Sequence, residues 1–192
     1  MNTQKLESYY KVQRGTGLIQ GADYISSPNC DARPNGINPE LIVVHSISLP
    51  PNQFGGPEIT QLFTNCLDPE QDPYFREIAT LKVSAHALIR RDGSIIQYVP
   101  FNQRAWHAGV SKFRERTACN DFSIGIELEG SDHTAYTISQ YAALAGLIKG
   151  LWLAYPSLSE RNVVGHNEIA PGRKTDPGPY FMWKSLNRLL ES

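Results

Sequence analysis

"LIVVHSI", residues 41–47, is a short continuous apolar run rich in β-branched side chains, the pattern of a strand covered on both faces. One polar ring, His45, sits inside it and needs a partner there. "FSIGIELEG", residues 122–130, answers it with strict alternation. Ile124, Ile126 and Leu128 face one way, and Gly125, Glu127 and Glu129 the other. Between these stretches, "LKVSAHALI" and "SIIQYVP" flank Arg90-Arg91-Asp92-Gly93, and the Asp-Gly step marks a hairpin.

Helical spacing begins after Thr137, where Gln140 stands three residues on as in a capping box. Ile138, Tyr141, Leu144, Ala145, Ile148, Leu151, Trp152 and Tyr155 then recur as the inward face of an amphipathic helix that Pro156 ends. A shorter closing helix is expected with Trp183, Leu186, Leu189 and Leu190 inward. The first 40 residues are rich in Gly, Pro and Asn and read as wrapping the domain, with 1–23 an irregular lead-in. Ser48 to Ala79 fits neither period. It is a long loop, either a lid or a segment packed on the surface. Strands mixed with few helices give an α/β (α+β) fold: a single domain over residues 1–192 with a central mixed sheet flanked by helices.

Composition narrows the function. Lys plus Arg (18) nearly equals Asp plus Glu (19), so no field favours nucleic acid or an anionic membrane surface as partner. No run reaches the roughly 18 apolar residues of a membrane span, and the N-terminus lacks the apolar core of a secretion signal. Three widely spaced cysteines make neither a disulfide framework nor a cysteine zinc site, which points to a reducing cytoplasm. A monomer is expected.

Chemistry concentrates in "GHNEIAPGRKTDPGP", residues 165–179. His166 follows a strand-like "NVV", and Asp176 comes ten positions later among prolines that stiffen the backbone. With His45 these are the ligand types of a hydrolytic zinc centre that keeps one position for water. Lys174, two residues before Asp176, points to the same side if the backbone is extended. The residues alone equally allow a satisfied core histidine and an ordinary loop, since the two histidines lie far apart in sequence.

"VVHSISLPP", "FGGP", "VSAHALIRRDG", "AWHAG", "NDFSIGIELEG" and "GHNEIAPGRKTDPGP" together resemble the zinc-dependent N-acetylmuramoyl-L-alanine amidases (amidase type 2) over roughly residues 24–185. The resemblance is strongest to the cytoplasmic branch that acts on 1,6-anhydro-muropeptides. It implies an amidase-type-2, peptidoglycan-recognition-like fold and Zn²⁺ held by His45, His166 and Asp176. It further implies Glu127 as catalytic acid–base, Lys174 as the transition-state cation and a small muropeptide as substrate. Ser46 stands where relatives often carry Asn, which bears on a substrate contact. Glu129 is the competing acid, otherwise read as a solvated strand-end charge. Trp106 and His107 read either as a sugar or peptide platform or as core. Lys82, Arg116 and Arg173 read either as partners of stem-peptide carboxylates or as solvated charge, and His86 reads as structural. The rival classes are a non-catalytic peptidoglycan-binding module of this fold and a secreted amidase that attacks the intact wall.

Overall fold

The computed structural model describes residues 9–159 and 162–192. Short strands come first: β1 (Val12–Gln13), β2 (Leu18–Ile19), β3 (Asp23–Tyr24) and β4 (Cys30–Ala32). Then follow β5 (Leu41–Ile47), α1 (Glu58–Phe63), α2 (Phe75–Ile78), β6 (Ala87–Ile89), β7 (Ile95–Gln97) and β8 (Gln103–Ala105). β9 (Lys112–Phe113), β10 (Arg116–Thr117), β11 (Ser123–Glu129) and α3 (Ile138–Ala154) precede β12 (Val163–Gly165), α4 (His166–Ile169) and α5 (Trp183–Glu191).

Six strands form the central sheet in the order β12-β5-β11-β6-β7-β3. The first four are parallel, β7 runs antiparallel to β6, and β3 closes the far edge parallel to β7. The mixed α/β expectation holds, and so does the Asp-Gly hairpin, which joins β6 to β7. The lead-in is less irregular than its composition implies. β1 and β2 pair with each other, and β3 supplies an edge strand of the sheet. Residues 1–8 of that lead-in lie outside the described residues.

Alternation on β5 and β11 sorts side chains onto two faces. Ile42, Val44, Ile124, Ile126 and Leu128 pack under α3 and α5, with Leu144, Leu147, Ile148, Leu151 and Leu186. Each such side chain, fully removed from water, contributes roughly 1.5–3 kcal/mol. The capping box forms as expected: Thr137 Oγ1 accepts from the Gln140 N–H, and Gln140 Oε1 accepts from the Thr137 N–H. The helix is not the one-sided amphipath its spacing suggests. Gly146 and Gly150 are buried as well, because the N-terminal segment covers the side turned from the sheet. There the Tyr10 N–H donates to the Gly146 carbonyl at 3.1 Å. Ile138, expected inward, is 87% exposed in the first turn.

On the opposite sheet face Leu41 and Val43 meet Ala108, Phe122, Val164 and Ile169. Ser48 to Ala79, unreadable as regular structure, holds α1 and α2 and builds a second core. Its Ile59, Leu62, Phe63, Leu67 and Phe75 pack with Leu88, Tyr98 and Val99. Among the described residues no helix is long and apolar enough to cross a membrane.

Candidate active site

Parallel pairing sets the centre. β5 and β11 are in register with Glu127 opposite His45, so both side chains leave the same face from adjacent strands. β12 pairs on the other side of β5 with Gly165 opposite Val44, which brings His166 level with His45 as the chain turns into α4. These are carboxyl ends of parallel strands, where open α/β sheets place their sites. The Asn167 N–H donates to the Asp176 carbonyl at 3.0 Å and draws the Pro-rich loop back over the strand ends.

Three acceptor atoms converge there. His45 Nδ1 lies 3.0 Å from His166 Nδ1 and 3.1 Å from Asp176 Oδ2, and His166 Nδ1 lies 3.0 Å from the same oxygen. Ligands about 2.0–2.1 Å from a tetrahedral ion stand roughly 3.3 Å apart, so the triangle is close to the size a small divalent cation needs. The far nitrogens are occupied. His166 Nε2 faces the Ala108 carbonyl at 3.2 Å, and His45 Nε2 faces His107 Nδ1 at 2.8 Å. A proton on each Nε2 leaves the Nδ1 lone pairs aimed inward. The group His45, His166 and Asp176 can therefore hold a metal ion.

Burial pushes the His45 imidazole down to about 4, against the pull of Asp176. Burial opposes ionisation of Asp176, yet its hydrogen bonds to His166 and His45 hold its carboxyl below the ordinary range. Glu127 is the odd group. Burial raises its carboxyl well above the usual range, the Asp176 charge adds to this, and Lys174 pulls the other way. Its Oε2 is buried with no hydrogen-bond partner in the protein. A buried acid with a free oxygen beside a ligand triangle is suited to hold a water and exchange a proton with it.

The centre opens into a cleft of about 280 Å³ lined by His45, Ser46, Glu127, His166, Lys174 and Asp176 on one side. Leu62, Phe63, Tyr74, Ile78, Leu81 and Val83 form the other wall. A second, more polar compartment of about 450 Å³ shares Ser46, Ser48, Tyr74, Lys174 and Asp176 with it and adds Asn52, Asp132, His133 and Arg173. The two are parts of one groove.

Of the residues singled out from sequence, the structure gathers His45, Ser46, His107, Glu127, His166, Lys174 and Asp176 in the cleft lining. Arg173 lines the polar compartment, but its Nη2 donates to the carbonyls of Ala108 and Val110 at 2.7 and 2.6 Å. Three others lie off the groove lining. Arg116 is paired with Glu40 at 2.6 Å and stacked on Phe122. Trp106 donates through Nε1 to Asp31 at 3.3 Å. Lys82 is exposed between the wall residues Leu81 and Val83. Glu129 is not a solvated strand end. It is 1% exposed and accepts from the Gly55 N–H, Arg90 Nη1 and the Arg91 N–H at 2.6, 3.1 and 3.2 Å. His86 is structural, as expected: its Nδ1 accepts from the Gly125 N–H at 3.0 Å. The apolar wall escaped sequence reading, although Ile59, Leu62 and Phe63 carry a one-turn helical spacing that hinted at it.

Residues 35–179 match the N-acetylmuramoyl-L-alanine amidase family Amidase_2, and the chain belongs to that family. Within it, the chain is 58% identical over 174 residues to the 1,6-anhydro-N-acetylmuramyl-L-alanine amidase AmpD of Escherichia coli K12, covering 91% of this chain and 94% of that protein. A crystal structure of a selenomethionine derivative of AmpD matches with a TM-score of 0.89 at 56% identity, over 91% of this chain and 97% of that one. AmpDH3 of Pseudomonas aeruginosa, crystallised in complex with anhydromuramic pentapeptide, matches with a TM-score of 0.58 at 32% identity, over 81% and 61% of the two chains.

Proposed function

We propose that this protein is a zinc amidohydrolase that cleaves the amide between the lactyl group of 1,6-anhydro-N-acetylmuramic acid and the L-alanine of the stem peptide. The observation that carries the reading is Glu127: a buried carboxylate with an unpartnered oxygen, one strand over from His45 and in the same cleft as the ligand triangle. The 58% identity to AmpD supports the choice of substrate.

His45, His166 and Asp176 would hold the zinc, through two imidazole Nδ1 atoms and one carboxylate oxygen. Zinc bound by such a set supplies Lewis acidity towards a carbonyl and acidifies water. Glu127 takes a proton from the attacking water and returns it to the departing alanine nitrogen, for which its raised proton affinity suits it. Lys174, on the cleft rim, offsets negative charge growing on the amide oxygen. The groove around Ser46 and Tyr74 holds sugar and peptide on either side of that bond. His107 and Arg173 line the groove and keep a substrate contact open in this reading, whereas Trp106, Lys82 and Arg116 lie off its lining.

The reading extends to cell-wall recycling by a cytoplasmic monomer, supported by three unpaired thiols, which persist in reducing compartments. Fractionation and light scattering test those two points. It also includes closure over the substrate by Ser48 to Ala79, in which Tyr74 is exposed on the cleft lining while Leu49, Ile59, Leu62, Phe63, Leu67 and Phe75 are anchored in a core. Hydrogen exchange with and without product tests it, and unchanged protection around Tyr74 removes it.

The central test is turnover of purified protein on anhydro-N-acetylmuramyl-L-alanyl peptides, followed by mass spectrometry. Release of intact peptide that stops with chelator and returns with zinc is expected. Undiminished turnover in metal-free protein overturns the zinc assignment. Tight substrate binding with no cleavage would instead indicate a binding module.

A further inference from the structure

We propose that His107 is a positioning residue for the metal centre, fixing through His45 Nε2 which nitrogen His45 turns to the ion. The inference rests on the zinc reading above.

The His45 ring meets His107 edge-on, with centroids 4.9 Å apart and planes at 85°. That geometry places His107 Nδ1 2.8 Å from His45 Nε2. His107 Nε2 in turn stands 3.0 Å from Ser123 Oγ, a residue wholly buried on β11. The backbone around His107 is also tied down: Asn120 Oδ1 accepts from the N–H groups of His107 and Ala108 at 3.2 and 2.8 Å. The same pair of residues serves both histidines, since the Ala108 carbonyl is the partner of His166 Nε2.

Space for the ring is built into the neighbouring strand. A Cβ at position 125 would collide with Cγ and Nδ1 of His107, so Gly125 is the seat of the imidazole. That accounts for a glycine in mid-strand, where it otherwise weakens a sheet.

Metal-bound histidines generally have the other ring nitrogen held by an acceptor, which sets tautomer and ring angle. Here a neutral imidazole does this for His45. With an ion on His45 Nδ1, the proton sits on His45 Nε2 and is donated to His107 Nδ1. His107 then carries its own proton on Nε2 towards Ser123 Oγ. Run the other way, Ser123 donates to His107, His107 to His45, and His45 Nδ1–H to Asp176. Each imidazole keeps one proton in both arrangements, so the chain of hydrogen bonds is intact with either direction.

The test compares zinc affinity, by chelator competition, in wild type, His107→Phe and His107→Asn. The amide oxygen of Asn can stand where Nδ1 stands, whereas Phe fills the space without an acceptor. His107→Phe should weaken zinc binding about 10–100-fold, the usual weight of such an outer partner. His107→Asn should recover most of it. Nitrogen-15 histidine spectra should place the His45 proton on Nε2 in zinc-loaded wild type and His107→Asn, with a mixture of tautomers in His107→Phe. Should His107→Phe not fold, Ser123→Ala removes the far link with a smaller change and should weaken zinc measurably in the same direction. Wild-type affinity in the variants, with an unaltered His45 tautomer, overturns the role of His107 alone. Failure of wild type to take up zinc, with binding indifferent to His45→Ala, overturns the zinc reading itself.

Discussion

Glu127 and Glu129 leave the same face of β11 two residues apart, and water reaches neither freely: they are 9% and 1% exposed. Their surroundings differ completely. Glu129 has its oxygens filled by the Gly55 N–H, Arg90 and the Arg91 N–H, and Arg90 also donates to the Gly56 carbonyl at 2.7 Å. Glu127 has an oxygen with nothing on it. Burial alone therefore says little about a carboxylate's work. A fully paired acid ties a loop to a strand, and an acid left wanting a partner is kept for something that comes and goes.

The largest effect should fall on catalysis at the centre of the strand. Glu127→Gln should lower kcat roughly 10²–10⁴-fold, the weight of a general acid–base group. Thermal unfolding should barely move and zinc should still bind. Steady-state kinetics and metal analysis on one preparation check this, and full activity in the variant would reverse the roles of the two glutamates.

At the strand end the pattern should invert. Glu129→Ala leaves Arg90 without its carboxylate, with only the Gly56 carbonyl to accept from it, and should cost about 3–5 kcal/mol of stability, the range for breaking a buried pair. The fraction that stays folded should keep a kcat within a few-fold of wild type. Urea unfolding with parallel assays decides it, and a stable but inactive variant would show that Glu129 has a chemical role as well.

Acid separates the two regions next. His86, which holds the Gly125 N–H two residues before Glu127, is pushed down to about 3, by burial first and by Arg33 second. A depressed histidine lets the unfolded chain bind more protons than the folded one. Its stabilising contribution is thus complete above a pH of about 6.5 and declines as pH falls towards the folded value. From this ring alone the loss at pH 5 should be about 2 kcal/mol relative to neutral pH. Urea midpoints of chelator-treated protein between pH 7.5 and 5 measure this loss together with the like-signed loss from His45, without contribution from metal release, and a flat profile would contradict it.

The smallest effect belongs to the cap of α3, which also braces the Glu129 end. Gln140 Nε2 donates to the Glu129 carbonyl at 2.9 Å, and Thr137 Oγ1 donates to the Arg91 carbonyl at 2.7 Å. Thr137→Ala should cost ~1 kcal/mol, as capping losses do, and leave kcat unchanged. A drop in kcat at equal folding would mean that strain at the strand end reaches Glu127.

Legibility from sequence divides along the same line. β5, β11, the β6–β7 hairpin and the capped helix could be read because each carries its signal within a few residues. His45, His166 and Asp176 could be picked out by residue type, and motif resemblance linked them where spacing could not. Alternation assigns Glu129 to a face but cannot say that Gly55 and Arg90 arrive from elsewhere to cover it. The same limit hid the second cover on α3, supplied by Tyr10, and the link from His45 to His107, 62 positions away. α1 and α2 span six and four residues, too short for a helical period to declare itself, although together they wall the cleft.

The ligand triangle draws on widely spaced parts of the chain, with His45 and Asp176 separated by 131 positions. An ion shared among them is a cross-link, and the loop it closes takes in most of the molecule. The triangle exists only once β5, β11 and β12 have found their parallel register, a non-local and slow event in folding. A chain emerging from the ribosome offers isolated histidines until residue 176 has appeared and the strands have paired. Metal capture by this triangle would then be a mark of completion, acquired late and only by a chain that has finished folding.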